Sequence, residues 1–360
     1  MASVDIHSDI LMNILCHLSV KDLLRYRSVC KEWRTLIDAP HFIKMQLKSS
    51  KQGLFIFINN EKNQQKDMYW LDLTNQGCSI EKIRSSIPPF GTPSGCYNGL
   101  IITQDRPSIY NPFTKNHTPL SHYSYRLSPY AKVIGLGYDP LIDDYKVVAH
   151  TRFDSIRQNY VSKYHLYYVK AQTLKRLDCH DAFLENYGYE LSNCAFVDNC
   201  LYWIVVKSES SGMNLIFAFD LKTEKHNTLS LPFQSKGNAF RAVEFEGSVC
   251  VIKPIYRDIG PLLDYEIWVM KDHDKENSSC NWSMLFSVVP GVFGSNLSVV
   301  PLKYYNTTND QIFLMLDFHK LVVYDLKTNT VIKIVRFHDL MAKSGNRLSV
   351  FLGVQSLVGF

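Results

Sequence analysis

Residues 4–47 read VDIHSDILMNILCHLSVKDLLRYRSVCKEWRTLIDAPHFIKMQL and predict three short amphipathic helices ahead of a long, strand-rich chain. In the first helix, apolar residues recur with the 3.6-residue period of a stripe that must be buried against something: Ile10, Leu11, Ile14, Leu15 and Leu18. Ser19 and Asp22 have the spacing of a capping box, so a second helix is predicted to begin near Val20.

The apolar pattern continues through the rest of this segment. Leu23 and Leu24 form the apolar face of the second helix, and a third stripe consists of Val29, Trp33, Leu36 and Ile37. Pro40 is predicted to end the third helix, after which His41–Leu47 adds one further turn or two. About 40 residues bury too little surface to be stable alone, so the segment is predicted to be a docking plug that completes its core against a partner or the rest of its chain.

Residues 18–37, LSVKDLLRYRSVCKEWRTLI, closely resemble the F-box of plant F-box proteins, written L-P-x-K-x-L-L-R-[FY]-R-x-V-C-K-x-W-R-x-L-I. The resemblance implies docking onto the Skp-type adaptor of a cullin-RING (SCF) ubiquitin ligase. The residues that it assigns to adaptor binding are Ile6, Ile10, Leu11, Ile14, Leu15, Leu18, Val20, Leu23, Leu24, Val29, Cys30, Trp33 and Leu36.

Two positions depart from the F-box pattern. Ile6-His7 stands where the family has Leu-Pro, which removes a rigid residue that begins the first helix and contacts the adaptor, so the affinity for the adaptor is expected to be lower. Ser19 replaces the proline that follows Leu18, and it retains a helix cap by other means.

Composition excludes several classes of protein. The net charge of +5 over 360 residues is spread among interleaved acidic and basic residues, which predicts no nucleic-acid partner. The nine cysteines include no C-x-x-C pair and are expected to be reduced thiols. No stretch approaches the roughly 18 to 20 apolar residues of a membrane span, and residues 1–20 lack the pattern of a signal peptide. A cytoplasmic or nuclear location without membrane contact is therefore expected.

After Lys51 the pattern becomes the alternation of an all-β domain. An apolar strand that runs into Asp or Asn, a polar turn and a second strand recurs six times: Tyr69–Asn75, Ile109–Leu120, Tyr164–Leu177, Ile216–Leu231, Ile267–Phe286 and Val322–Val335. From Asp72 to Asp325 the period is about 50 residues, the length of a kelch blade. The pattern favours a kelch-like β-propeller and leaves a paired β-sandwich as the alternative.

Several motifs beyond the F-box, in the same order, resemble the F-box-associated (type 1, kelch-like) domain of plant proteins, the group that includes S-locus F-box and defence-regulating F-box proteins. The motifs are Gly95–Leu100, Tyr110–Thr114, Leu136–Pro140, Asp143–Val148, Leu201–Trp203, Phe219–Lys222, Glu266–Lys271 and Gln355–Val358. Physically they are interpreted as fold punctuation: Asn98-Gly99 supplies positive φ for a tight hairpin, and Asn111-Pro112 and Asp139-Pro140 begin turns.

No motif predicts catalysis. Gly135-Leu136-Gly137 lacks the third glycine of a dinucleotide loop and is interpreted as a strand end. Cys179-His180-Asp181 are sequence neighbours and are interpreted as a surface turn, because catalytic triads assemble from separated segments. His7, Cys16 and His17 lack a second pair of metal ligands. The sequence therefore predicts no cofactor, no metal and no enzyme activity, with a propeller enzyme as a minor alternative.

The resulting hypothesis is a two-part substrate receptor of an SCF ubiquitin ligase. Residues 1–50 form the F-box, and residues 51–360 form a propeller that binds the protein to be ubiquitinated. Substrate contacts are expected on four loops: Phe153–Lys163, Lys207–Asn214, Arg257–Leu263 and Lys271–Ser279. The alternative is a ligase-independent binding module whose F-box is weakened by Ile6-His7.

Overall fold

The computed structural model describes the chain over fifteen ranges: residues 8–60, 65–73, 80–83, 92–104, 107–120, 132–154, 160–177, 194–206, 214–233, 240–256, 263–274, 279–289, 298–317, 320–336 and 346–359. Four helices come first: α1 (Ser8–Leu15), α2 (Val20–Tyr26), α3 (Lys31–Asp38) and α4 (Pro40–Ser49). Pro40 thus ends α3 as predicted, but it also opens a full fourth helix instead of one or two added turns. Proline suits the first position of a helix because the N–H that it lacks would have no helical partner there.

The capping predicted between Ser19 and Asp22 is present in a modified form. Ser19 Oγ accepts a hydrogen bond from the backbone N–H of Asp22 (3.2 Å), and the hydroxyl donates to Asp22 Oδ2 (2.7 Å). The carboxylate therefore binds the hydroxyl itself. Cys30 is the N-cap of α3, and its Sγ accepts a hydrogen bond from the backbone N–H of Trp33 (3.4 Å). Both caps satisfy backbone donors that the first helical turn leaves free.

Within these ranges the strands form six four-stranded antiparallel sheets, which are six propeller blades. The first blade has the order β24 (Asn346–Val354), β1 (Gln52–Asn60), β2 (Gln65–Asp72), β3 (Ile80–Lys82). The strands of the second blade are β4 (Pro93–Tyr97), β5 (Leu100–Thr103), β6 (Ser108–Tyr110) and β7 (His117–Pro119). Those of the third are β8 (Lys132–Asp139), β9 (Asp144–Asp154), β10 (Tyr160–Tyr168) and β11 (Thr173–Leu177).

The remaining three blades repeat the same meander. The strands of the fourth blade are β12 (Ala195–Val197), β13 (Cys200–Val206), β14 (Asn214–Asp220) and β15 (His226–Ser230). Those of the fifth are β16 (Arg241–Phe245), β17 (Ser248–Tyr256), β18 (Leu263–Asp274) and β19 (Ser279–Val288). Those of the sixth are β20 (Val299–Tyr304), β21 (Gln311–Leu316), β22 (Lys320–Asp325) and β23 (Thr330–Arg336). The propeller prediction is confirmed, and the sandwich alternative is wrong because no sheet has more than four strands among the described residues.

The first blade is completed by the last strand of the sequence. β24 pairs with β1 over nine residues, from Gln52 opposite Val354 to Asn60 opposite Asn346. The sequence repeat did not predict this pairing, because the strand-turn-strand pattern marks only the two outer strands of each blade.

Contacts divide the chain into two compact units. Residues 1–119 and 343–360 form the first, which holds the helices and the first two blades, and residues 120–342 form the second, which holds the other four. In the first unit, Phe55 and Trp70 of the first blade pack with Ile101 and Tyr110 of the second. In the second unit, three apolar layers join successive blades. The division into residues 1–50 and 51–360 stays a prediction.

The polar turn of the sequence repeat has one geometry in three blades. The residue at the end of the third strand, or directly after it, has a side-chain oxygen that accepts hydrogen bonds from the N–H groups two and three residues later, at 2.8–3.3 Å. These residues are Asn111, Asp220 and Asp325. Four residues after each, the backbone has positive φ, at Lys115, Glu224 and Asn329. This Asx turn explains why the repeat requires Asp or Asn.

The hairpin prediction for Asn98-Gly99 is also confirmed, since their φ angles are 51° and 74°. Gly135 and Gly137 lie inside β8, which continues to Asp139, so the interpretation of this motif as a strand is confirmed but its placement at a strand end is wrong. A Cβ on Gly137 would overlap the Phe196 ring and Leu221 of the fourth blade, so glycine allows the two blades to pack closely.

Candidate adaptor-binding face

Burial divides the predicted adaptor-binding residues into three groups. The innermost are Leu15, Val20 and Leu23, each 2% exposed or less, which pack with Ile37 and Phe42. These side chains form the interior of the helical region. They hold the helices together, so a partner that docks on the described surface contacts other residues.

The second group is half-buried around this interior. Its members contact the cluster while presenting part of their surface to solvent: Leu11, Leu18, Leu24, Trp33 and Leu36. Cys30 is also half-buried, and its Sγ is occupied in capping α3. Tyr26 packs edge-on against Trp33, with ring centroids 5.6 Å apart. The aromatic pair gives this part of the surface a fixed shape.

The third group is exposed. Ile10 is 56% exposed, Ile14 54% and Val29 62%, although all three belong to apolar stripes. The sequence left open whether these stripes are buried by the chain or by a partner, and the described part of the chain does not bury these three residues. Ile10 and Ile14 are one helical turn apart in α1, which places them on the same face. Exposed aliphatic side chains in this arrangement are suitable anchors for a partner protein.

Leu15 is too deeply buried to report on docking. A charge at Leu15 would lie inside the helical core and disrupt it, so loss of binding in Leu15→Asp would report loss of folding. Ile6 and His7 lie outside the described residues, and their assignment stays a prediction.

Ion pairs surround the helices. Arg27 Nε lies 2.7 Å from Asp38 Oδ1, which joins the end of α2 to the end of α3. Lys21 Nζ lies 2.6 Å from Glu81 Oε1 on β3 of the first blade. Near the start of α3, hydrogen bonds from the Glu32 backbone and from Cys30 lower the pKa of Glu32. Exposed pairs of this kind contribute little stability, and they leave the apolar anchors surrounded by polar groups.

The Asp143–Val148 motif contains a buried lysine. Lys146 on β9 is 2% exposed, and its Nζ lies 2.9 Å from Asp139 Oδ2 and 2.8 Å from Glu224 Oε1. The same ammonium donates to the Leu221 carbonyl at 2.6 Å and stands 5.0 Å from the centroid of the Tyr168 ring. This cluster joins the third blade to the turn of the fourth blade.

Glu224 is the second charged centre of this cluster. Burial acts to raise its pKa, but hydrogen bonds from Lys146, Lys175 and Tyr168 outweigh burial and hold the pKa at about 2. The pKa of Tyr168 is raised, by burial first and then by its hydrogen bond to Glu224. All the charges have protein partners, so we interpret the cluster as structural. The motif is interpreted from the sequence as turn punctuation, and no local pattern in the sequence indicates this ion pairing.

No chemical site emerges from the described residues. Within those ranges, no three His, Cys, Asp or Glu side chains are grouped as metal ligands. Cys179-His180-Asp181 lie outside the described residues, as does His7. The seven cysteines that the structure describes carry no disulfide, and burial raises the pKa of Cys96, Cys194 and Cys250 to about 12, which disfavours the reactive thiolate.

The predicted substrate loops fall into two sets. Phe153–Lys163, Lys207–Asn214 and Arg257–Leu263 join the second and third strands of the third, fourth and fifth blades, and Lys271–Ser279 joins the third and fourth strands of the fifth. In an antiparallel meander these two kinds of connection leave opposite ends of the strands. In the fifth blade, the strand ends next to Lys271–Ser279 therefore lie at the opposite edge of the sheet from those next to Arg257–Leu263. Residues 155–159, 207–213, 257–262 and 275–278 lie outside the described part of the chain.

The fold and the docking face together define a class of protein: a small helical module with exposed apolar anchors, joined to a six-bladed propeller. Comparison with known families agrees. A family model described as "F-box domain" matches residues 4–45, and one described as "F-box associated beta propeller domain" matches residues 43–354. The chain belongs to the F-box proteins that carry an F-box-associated propeller.

Curated relatives from Arabidopsis thaliana carry the same names. The chain is 29% identical to "Putative F-box protein At3g16210" over 64% of this chain and 61% of that protein. It is 24% identical to "F-box protein CPR1" over 89% of this chain and 82% of that protein. A solved oligogalacturonate lyase in complex with manganese has a TM-score of 0.39 and 10% identity over 75% of this chain and 71% of that one, which is too low to support a functional assignment.

Proteins of this family are generally substrate adaptors, and the F-box implies a Skp-type adaptor as partner. Among the described residues, no helix combines the length and the apolar character that crossing a membrane requires.

Proposed function

We propose that this chain is the substrate-recognition subunit of an SCF-type ubiquitin ligase, in which the helices bind the Skp-type adaptor and the propeller binds the protein to be ubiquitinated. The observation that carries the proposal is the exposure of Ile10, Ile14 and Val29 on a folded helical module whose family docks on that adaptor. Burying such side chains in a partner's groove is favourable by about 1.5–3 kcal/mol each.

The chain would contribute proximity to the reaction. Holding a target and the transferring enzyme in one complex converts a bimolecular transfer into an effectively unimolecular one, without any catalytic group on this chain. The proposal therefore includes no enzyme activity, cofactor or metal for this subunit, and it places the protein in the cytoplasm or nucleus, where ubiquitin ligases work on soluble targets.

The docking assignment can be tested with purified protein and a Skp-type adaptor. Ile14→Arg should weaken adaptor binding at least about thirtyfold, because a central apolar anchor is lost and a charge must be desolvated. Asn13→Arg is the matched control: Asn13 is exposed on the same helix but lies outside the apolar stripe, so binding should change by less than about threefold. Affinity is measured by titration calorimetry, with circular dichroism to establish that each variant is folded.

The outcomes separate the proposal from its alternative. Equal affinity of wild type and Ile14→Arg would contradict the assignment of this face. Absence of wild-type binding in a folded protein would favour the ligase-independent module. His7→Pro restores the proline of the family pattern and is expected to strengthen binding, which tests whether the natural sequence weakens the F-box.

A further inference from the structure

The residues after β24 run between the helices and the second blade. We call residues 355–359 the bracket segment. On the helical side, Ser50 Oγ donates to the Gln355 carbonyl at 2.7 Å, and Gln46 Nε2 lies 3.4 Å from the same oxygen. On the blade side, Asn111 Nδ2 donates to the Ser356 carbonyl (2.9 Å) and to the Val358 carbonyl (2.8 Å). The segment therefore has polar anchors in both structures.

Packing reinforces these hydrogen bonds. Leu357 is 8% exposed and belongs to the same apolar cluster as Leu23 and Phe42 of the helices. Ser356 is fully buried, and its Oγ accepts a hydrogen bond from the Val358 N–H at 2.9 Å. At the turn between β4 and β5, a Cβ on Gly99 would lie 2.6 Å from the Val354 carbonyl, so the turn approaches this part of the chain closely.

The identity of residue 111 follows from this contact. The same Asx turn has a carboxylate in the fourth and sixth blades, Asp220 and Asp325, because there the side chain only has to accept hydrogen bonds. In the second blade the side chain must also donate. Asn111 Oδ1 accepts from the Phe113 and Thr114 N–H groups, while its Nδ2 binds two carbonyls. Only the amide does both, since an ionised Asp has no donor.

We propose that Asn111 is a positioning residue, which fixes the adaptor-binding helices against the first two blades through the bracket segment. The amide is fully buried, and each of its hydrogen-bonding atoms is used. The helical module is consequently a rigid extension of these blades instead of a plug on a tether. In the ligase, and resting on the proposed function, this rigidity sets the direction in which the bound adaptor points.

A single-atom exchange tests the proposal. Asn111→Asp keeps the acceptor oxygen of the turn but places a carboxylate oxygen against the carbonyls of Ser356 and Val358. We expect amide exchange in residues 43–49 and at Val358 to become about tenfold to hundredfold faster. The matched control is Asp325→Asn, which makes the reverse exchange in a turn with no bracket segment and should leave the same amides unchanged.

The arrangement of the helices is measured directly by spin labels on encoded keto amino acids at Arg25 in α2 and Lys82 in β3, both exposed. Wild type should give a narrow distance distribution, and Asn111→Asp a distribution at least about twofold broader. Identical distributions in folded Asn111→Asp and wild type would overturn the proposal. If Asn111→Asp does not fold, Asn111→Ala removes the amide without introducing a charge, and an unchanged distribution in that folded variant would overturn the proposal instead.

These readouts are independent of the ligase. In Asn111→Asp, adaptor affinity should stay within about threefold of wild type because Ile10, Ile14 and Val29 are unaltered. Ubiquitin transfer to this chain's own lysines in a reconstituted ligase should spread over more sites. Failure of wild type to bind the adaptor would defeat the proposed function, while the exchange and distance experiments would still decide the role of Asn111.

Discussion

The turns of the second and fourth blades have the same backbone conformation but make different contacts with the rest of the protein. Both have an Asx turn followed by a residue of positive φ, at Lys115 and at Glu224. In the second blade the side chain of Asn111 reaches out with a neutral amide to hold the bracket segment. In the fourth blade the Leu221 carbonyl and the Glu224 carboxylate receive a buried ammonium, Lys146. One connection is neutral and the other is ionic.

The difference shows how a repeated turn can carry specific connections. The hydrogen bonds that form the turn use one side-chain oxygen of the Asn or Asp. The other polar atom of that side chain, and the side chain of the residue at positive φ, can therefore bind groups elsewhere in the protein. In the third blade the same turn is formed without an Asx residue at this position. Tyr168 stands where the Asx residue is expected, and Asp144 accepts the hydrogen bond from the Lys170 N–H in its place, at 2.9 Å.

The largest effect is expected from breaking the ionic connection. Lys146→Met should destabilise the protein by about 3–5 kcal/mol, because it leaves Asp139 buried without its cation and removes one of the two lysines that bind Glu224. Urea unfolding measures the change. Lys175→Met removes the other lysine that binds Glu224, at 2.6 Å, but that lysine is 55% exposed, so its loss should cost less than about 1 kcal/mol. Equal effects of the two variants would contradict the burial argument.

The neutral and ionic connections should also differ in their response to acid. The pKa of Glu224 is about 2 in the folded protein, below the ordinary Glu value of 4.5 that applies when the chain is unfolded. Its stabilising contribution is therefore present above pH 4.5 and is lost as the pH falls toward 2. Hydrogen exchange, corrected for intrinsic rates, should show opening of the third and fourth blades over this interval. The bracket segment is held by neutral groups, Asn111, Ser50 and Gln46, and should show no midpoint of its own there.

Glu224→Gln sharpens this comparison. The variant should be less stable at neutral pH, and it should lose less stability than wild type between pH 4.5 and 2. The measurement is the urea midpoint at several pH values, and parallel curves for the two proteins would contradict the assigned role of the carboxylate.

The smallest effect is expected within the helices that the neutral connection holds. Ser19→Ala removes the cap of α2 and should lower the stability of the helices by about 1 kcal/mol. Ser28→Ala is the control, since its exposed hydroxyl only donates to the Arg25 carbonyl and its loss should change stability by less than about 0.5 kcal/mol. Thermal unfolding followed by the helical circular dichroism signal distinguishes them, and a larger loss in Ser28→Ala would show that the cap contributes little.

Local patterns predicted much of the fold. The apolar periodicity placed α1 to α3, the repeat placed the outer strands of the blades, and Asn98-Gly99 predicted a hairpin whose positive φ angles are observed. For the docking face, periodicity identified apolar residues without dividing them. Leu15 and Ile14 are neighbours in one stripe, yet one is buried and the other is 54% exposed, because the helices wrap around only part of the stripe.

The sequence by itself determined the elements whose cause is local: helix caps, strand alternation, Asx turns and the F-box string. The tertiary structure alone decided the connections between distant residues, such as β24 with β1, Lys146 with Glu224 and Asn111 with Val358. The physical reason is that a helix or turn satisfies its hydrogen bonds within a few residues. The side-chain nitrogen of Asn111 and the charge of Lys146 are satisfied only by groups that folding brings to them from far along the chain.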